Sequence, residues 1–571
     1  MPIFYLLDLL NCNLKNIYFT LLLLLPLKLM AQDTGIPLNS PSYDILHRIS
    51  VQTGVNLDNA TLPVSRQEAV QFIHNVRTSG VILSERDLKD ITWLERDNNE
   101  FFPGDTLLKY SRRRIFRHFY PTKTHLIEYD SPDFSVRANP MFNFGIASER
   151  DNENILFANQ RGAEIRARIG KKVYVYTSFL ETQARFNSFT TRWINENNAI
   201  PGNGFFKTYN STVTDKINGY DFNNAVGYIA APLTKQISFQ LGHGRHFIGQ
   251  GYRSMFVSDF SNNYFYAKLR TKIWKFTYEN YYVDLSRPFS ALDPRNGEDK
   301  RFGVFHYLNF KATNNLKFGV FEAVAFKRNT GFELQYINPV ILYRTIEGGF
   351  NSSDNVLLGA DFSWNIAKRF QIYGQLLLDE FLFAALYNPK ERGWWGNKSA
   401  KQIGLKYTNV AGIDHLDLQV EYNSVRPYTY SHFDSLSNWT HFGQPLAHPL
   451  GANFKELVTI LRYQPFPKWT LLARYLIIIK GEDGAAQNWG GNPNLTYNVR
   501  PNDYGNFIGQ GERSTIAIVG IDVNWRLSHH LYWDFKVLVR KQNSTNDSRD
   551  LNSYIFGTGL RMNVWSKDSD F

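Results

Sequence analysis

The sequence predicts an all-β transmembrane barrel of about 18 antiparallel strands, preceded by a small α-helical periplasmic domain. Three observations predict it. From Asp133 onward apolar residues recur with period two, as on strands whose successive side chains point to opposite faces. The breaks between these runs alternate short and long, like turns at one end of a barrel and loops at the other. Aromatics make up 15% of the chain while mean hydropathy is only -0.35, which suits a sheet with one greasy face and one wet face.

The clearest run extends from Asn355 to Phe381. Val356, Leu358, Ala360, Phe362, Trp364 and Ile366 share one face; Asn355, Leu357, Gly359, Asp361, Ser363 and Asn365 share the other. After the break Ala367-Lys368-Arg369, Phe370, Ile372, Leu376 and Leu378 alternate with Gln371, Gln375 and Asp379. This reading places strands over 355–366 and 369–382, within a series that begins at 133–147 and ends at 553–565. Short breaks such as Gly170-Lys171-Lys172, Val410-Ala411-Gly412 and Ser528-His529 alternate with long connections around 187–222, 328–354, 426–453 and 481–512. A charge on the lipid face costs roughly 2–4 kcal/mol at the bilayer midplane, so the polar stripe is expected to line the lumen.

Residues 1–31 read as a secretory signal peptide, with Leu21 to Leu25 in the apolar segment after Lys15 and Leu29-Met30-Ala31 as the cleavage site. No later stretch reaches 18 consecutive apolar residues, the length of a membrane-crossing helix. The single cysteine, Cys12, falls within the signal, so the mature chain excludes disulfides, thiolate metal sites and cysteine nucleophiles. Residues 32–132 form the helical periplasmic domain and 133–571 the barrel. Ser42 opens one helix; Ser65 with Glu68 and Ser84 with Asp87 make capping boxes for two more. Arg112 to Arg117 read as a solvated helix face. The charge of +11 is spread through the strands with no run of five basic residues, which argues against nucleic acid as a partner.

The long loops concentrate aromatics: Trp193 and Tyr209; Trp394 and Trp395; Tyr428, Tyr430, His432, Trp439 and His441, with Arg426 beside them; and Trp489 and Tyr497. Ring faces beside polar groups suit carbohydrate, since sugar C–H faces lie on rings while hydroxyls take polar partners. Interfacial girdles also concentrate aromatics in barrels, so the loop rings have two readings. Gly249-Gln250-Gly251-Tyr252-Arg253 lacks the Gly-Lys-Ser/Thr ending of a phosphate loop and reads as a backbone turn at the barrel rim. His243 and His246 have no evident third ligand. Adjacent Asp379 and Glu380 would face opposite sides of their strand. No nucleophile elbow and no compelling glycosidase carboxylate pair stand out, so enzyme activity is unsupported and no catalytic residue, cofactor or metal is expected.

The stretch GHGRHFIGQGYRSMFVSDFSNNYFYAKLRTKIWKFTYENYYVDL, Gly242 to Leu285, resembles the central signature of the Wzi-type capsule-assembly outer-membrane proteins. NPVILYRTIEGGFNSSDNVLLGADFSWNIAKRFQIYGQLLLDEF, from Asn338, continues it. Val420 to Leu457 resembles more narrowly the gliding-motility protein RemB and its relatives. The resemblance implies an outer-membrane barrel with an occluded lumen and a periplasmic helical bundle, holding capsular or other surface polysaccharide. None of that family's sugar-contacting residues carries over, because its loops do not align with these. The expected partners are a surface polysaccharide, acidic if the charge of the barrel is used, outer-membrane lipid, and a periplasmic or motility-assembly protein. A transport channel and a structural anchor for motility or secretion are the alternative functions.

Overall fold

In the computed structural model, described over residues 33–102, 119–210, 218–286, 300–328, 331–340, 342–350, 354–484, 487–565 and 569–571, eighteen strands close into one antiparallel barrel. The ring shuts where Leu551–Met562 pairs with Phe134–Glu149, with Phe556 opposite Ser148. Two short strands, Ile127–Asp130 and Lys207–Asn210, extend the ladder without adding to the circuit. Closure removes the free edges that so long a sheet would expose. Among the described residues no helix is long and apolar enough to cross a membrane. The signal-peptide segment 1–31 and the run Arg112 to Arg117 lie outside the described residues.

Period two in the sequence becomes inside and outside in the wall. On Glu512–Ser528, Ser514, Ile516, Ile518 and Asp522 are buried, while Val519 and Ile521 stand 43% and 41% exposed on the outer surface. Leu358, Trp364, Leu376, Trp533 and Phe556 are exposed in the same way on other strands. An apolar belt of this extent around a closed barrel is a surface that a bilayer covers.

One polar pair departs from the expected rule. His306 and Glu322 pair at 2.8 Å on the outward side of Lys300–Lys311 and Leu316–Arg328. The connection 331–350 folds back over them: Glu322 accepts the backbone N–H groups of Tyr343 and Arg344, while Tyr336 and Tyr343 lie in an apolar cluster with Val324, Phe326 and Val356. The pair is thus withdrawn from the apolar surroundings by chain rather than by position on the lumen side.

The N-terminal helices are α1 (Ser42–Thr53), α2 (Arg66–Thr78) and α3 (Glu85–Asp97). Both expected caps are present, Ser65 Oγ accepting from Glu68 N at 3.3 Å and Ser84 Oγ from Asp87 N at 3.1 Å. Leu46, Ile49, Phe72, Ile73, Ile91 and Leu94 form a core between the helices. The helices occupy the short-turn mouth of the barrel. Arg48 donates to Asn409 and Asp417, Arg86 to the Gln464 carbonyl, and Asn56 to the Asn314 carbonyl. Glu68 accepts from Arg270 and Lys272 on the wall.

His47 on α1 meets Gln371 of the wall at 2.8 Å. Burial, with Lys406 nearby, lowers its pKa below the ordinary 6.5. A depressed histidine contributes stability that is present above the unfolded pKa and lost as pH falls through the folded one. Docking of α1 should therefore weaken as the pH drops from about 6.5. His47→Gln keeps a hydrogen-bonding side chain without that titration. Proteolytic release of residues 33–102 between pH 7 and 4 should rise in the wild type and rise less in the variant.

From the long-loop end two segments fold into the lumen, 245–263 and 426–453. Ile248, Met255, Phe256 and Val257 have no exposed surface, and Phe247–Ile248 pairs with Thr61–Leu62 of the N-terminal segment inside the barrel. Gly249 to Arg253, expected at the rim, thus lies in the interior, where Glu421 accepts the N–H groups of Tyr252 and Arg253. Inward positions beside these segments are apolar rather than polar, as at Leu357, Leu377, Val425, Phe454 and Ile478. Water does not fill that part of the lumen; protein does.

Candidate functional site

Three long connections meet above the filled lumen: 379–398, 426–441 and 487–511. Trp395 N–H donates to the Asp503 carbonyl, Thr496 Oγ to that of Phe433, and the N–H groups of Gly505 and Asn506 to Arg392 and Gly393. Main-chain bonds between loops hold this end together where no ladder does.

On that frame a row of rings assembles. Trp395 lies 4.5 Å from Tyr497 between centroids, and Tyr497 lies 6.0 Å from His432, which packs on Phe433 at 4.4 Å. Trp394 stands 5.9 Å from Trp395, and the Arg500 guanidinium lies 4.1 Å over the Trp395 ring. Arg500 is steered there by Asp503, paired at 2.6 Å. Burial with Lys398 nearby pushes His432 down to about 4, so its ring is neutral. Phe433, Val499, Tyr504 and Phe507 add exposed apolar surface to the same loops. Rings locked by their neighbours lose little rotamer freedom when a ligand lies against them.

Lys398 sits beneath the row with no exposed side-chain surface. It pairs with Asp379 at 2.9 Å and Glu380 at 3.1 Å, donates to the Ser431 carbonyl, and lies 4.9 Å under the Tyr497 ring. Asp379 and Glu380 were expected on opposite faces of a strand over 369–382. The strand ends at Leu378, so both carboxylates reach one ammonium.

The other expected residues have different places. Arg426 supports the row from below, donating to the carbonyls of Asn397 and Trp394. Tyr428 ties two loops through Asn488 and Gly490, and Trp489 packs against Gly511. Tyr430, Trp439 and His441 belong to the interior. Tyr430 OH donates to the Met255 carbonyl and Trp439 Nε1 to that of Phe256, while His441 Nδ1 accepts from Ser286 N. Burial takes these three, and Tyr428, out of the surface cluster; His432 and Tyr497 are also buried, at 6% and 8% exposure, so they back the row while Trp394, Trp395 and Phe433 present its open ring surface. Arg500 and Phe433 join the row unannounced by composition; the aromatic clustering that singled out Trp395 also marks Tyr497.

Below the rim, two adjoining cavities of about 270 and 730 Å3 persist in the lumen. The larger lies between the N-terminal helices and the wall, faced by Arg462, Arg474 and Lys536 on one hand and Asp44, Asp417 and Asp534 on the other. His243 and His246 do not converge: one bonds the Ala225 carbonyl, the other the Tyr264 hydroxyl.

No protein-family profile and no curated protein matches the sequence. Solved structures do match. In fold, the chain resembles Wzi, an outer membrane protein involved in group 1 capsule assembly in Escherichia coli and a carbohydrate-binding β-barrel. The TM-score is 0.56 at 12% identity, covering 93% of this chain and 100% of that one. OprD of Pseudomonas aeruginosa matches with a TM-score of 0.42 at 11% identity, over 75% of this chain and 94% of its own. OccAB2 of Acinetobacter baumannii matches with 0.42 at 9%, over 76% and 99%.

Proposed function

We propose that this protein sits in the bacterial outer membrane and holds surface polysaccharide to the cell, in capsule attachment or in the adhesion that gliding requires. The rings of Trp394, Trp395 and Phe433, backed by the buried Tyr497 and His432 and set on bonded loops over a protein-filled lumen, are the observation that carries this reading. Residues 1–31 would direct export, the helical segment would face the periplasm, and the loops would face outward. The match to a carbohydrate-binding barrel of the same fold supports it. Binding is multivalent and non-covalent, without a catalytic step.

The filled lumen supports a binding barrel over the channel alternative, for which the 730 Å3 cavity is the one favourable feature. The test is retention of surface polysaccharide by the purified full-length protein, compared with Trp395→Ala and with Trp395→Ala/Phe433→Ala. Each lost ring is expected to weaken binding several-fold, in keeping with roughly 0.5–1.5 kcal/mol per aromatic contact. Retention unchanged in the double variant, or a steady open-pore conductance in planar bilayers, would overturn the reading.

A further inference from the structure

At the short-turn end, far from the aromatic row, three ligand atoms converge with nothing bonded to them. Asp97 Oδ1, at the end of α3, lies 3.7 Å from His530 Nε2 and 4.0 Å from His529 Nε2, and all three atoms fall within 4.8 Å of one another. Their side chains are 3%, 7% and 5% exposed. None of the three atoms has a hydrogen-bond partner. A buried polar atom left unpaired is costly, so three facing each other call for a cation between them.

The surroundings orient these atoms as a ligand set. Asn563 donates its Nδ2–H to the Pro140 carbonyl, which fixes its amide so that Oδ1 faces His530 Nδ1 at 2.8 Å. An amide oxygen only accepts, so Nδ1 carries the proton and Nε2 presents its lone pair inward. His530 has φ of 58°, a left-handed conformation that brings its ring to 4.3 Å from that of His529 instead of across the strand. Trp93 covers both rings at 5.0 Å. Arg66 holds the second carboxylate oxygen of Asp97 at 2.9 Å, leaving Oδ1 for a single contact. Arg66, Arg96, Arg166 and Arg526 are cations nearby, and Glu100 joins Asp97 in offsetting them.

We propose that Asp97, His529 and His530 bind one divalent ion of the zinc class, clamping α3 to the turn between Glu512–Ser528 and Leu531–Ser544. Two imidazoles and a carboxylate suit such an ion, with water as the fourth ligand. Zinc–nitrogen distances of about 2.0–2.1 Å require the two gaps to Asp97, 3.7 and 4.0 Å, to close by several tenths of an ångström. The clamp would fix the helices in the barrel mouth.

The test uses untagged full-length protein, stripped with chelator and titrated with Zn2+ alone by calorimetry, then with Co2+ alone by visible absorption. One saturable equivalent, a Co2+ ligand-field band, and slower proteolytic release of residues 33–102 with Zn2+ are expected. His529→Gln/His530→Gln should lower the affinity at least as much as the roughly 100-fold lost with a supporting partner. His243→Gln, distant and exposed, should change nothing. Asp97→Asn is avoided because it also breaks the Arg66 pair. No saturable Zn2+ binding by the wild type, or equal binding by the double histidine variant, would overturn the proposal.

Discussion

Replacing Arg253 by Met is expected to destabilise the folded barrel by about 3–5 kcal/mol and to raise its conductance. Arg253 lies on the segment that threads the lumen, 3% exposed. Its guanidinium bonds Glu456 at 3.1 Å and Asp570 at 2.9 Å, and Glu421 accepts its backbone N–H. Glu456 also takes His448 at 2.7 Å and an Asn423 N–H. Such a network adds little over an apolar core while complete, but removing Arg253 leaves two buried carboxylates without their shared guanidinium, Glu456 with His448 and Asn423 and Asp570 with Tyr252. Methionine approximates the volume of the side chain and supplies no charge. The urea midpoint of the micelle-bound barrel should fall, and planar bilayers should record current as 245–263 loses its anchor. Arg253→Met/Glu456→Gln should recover part of the loss, since the buried negative charge that had lost its guanidinium is gone. An unchanged midpoint would show that the segment is held by its apolar contacts instead.

The contrast between wall and interior explains what could be read in advance. Strand Asn355–Ile366 has in the structure the bounds its alternation predicts, because lipid on one side and chain on the other select every second residue. The caps at Ser65 and Ser84 are equally local, three residues from their partners. The fate of the loops is not local. Tyr430 and Trp439 bond carbonyls of Met255 and Phe256, about 180 residues away, and nothing in the residues near them distinguishes an aromatic that fills a lumen from one that crowns it. Asp570 and Phe571, which close on Arg253 and on Trp193, follow no periodicity at all. His306 and Glu322 escaped the lumen rule because their cover comes from a separate connection. The metal-type cluster joins residues over 400 positions apart, and the doublet His529-His530 alone reads as a turn.

Replacing Lys398 by Met should loosen the whole rim while leaving every aromatic of the row in the sequence. Lys398 is the one cation reaching Asp379 and Glu380 in the contacts described above, and its loss strands Asp379, which has no exposed side-chain surface. The penalty should again be about 3–5 kcal/mol, here borne by the loops rather than the wall. Burial already pushes Asp379 up to about 6 against the pull of Lys398. Without the ammonium the carboxyl prefers its neutral form still more. A carboxyl whose folded pKa exceeds its unfolded value weakens the folded state as pH rises between the two. The Lys398→Met rim should therefore be looser at pH 8 than at pH 5, and Lys398→Met/Asp379→Asn should remove that dependence. Limited proteolysis of 379–398 and 487–511 reads the loosening, and polysaccharide retention reads its consequence. If the loops loosen and retention stays intact, the row's preorganisation is irrelevant to binding; if both fall together, the geometry around Tyr497 and Trp395 is what the polymer recognises.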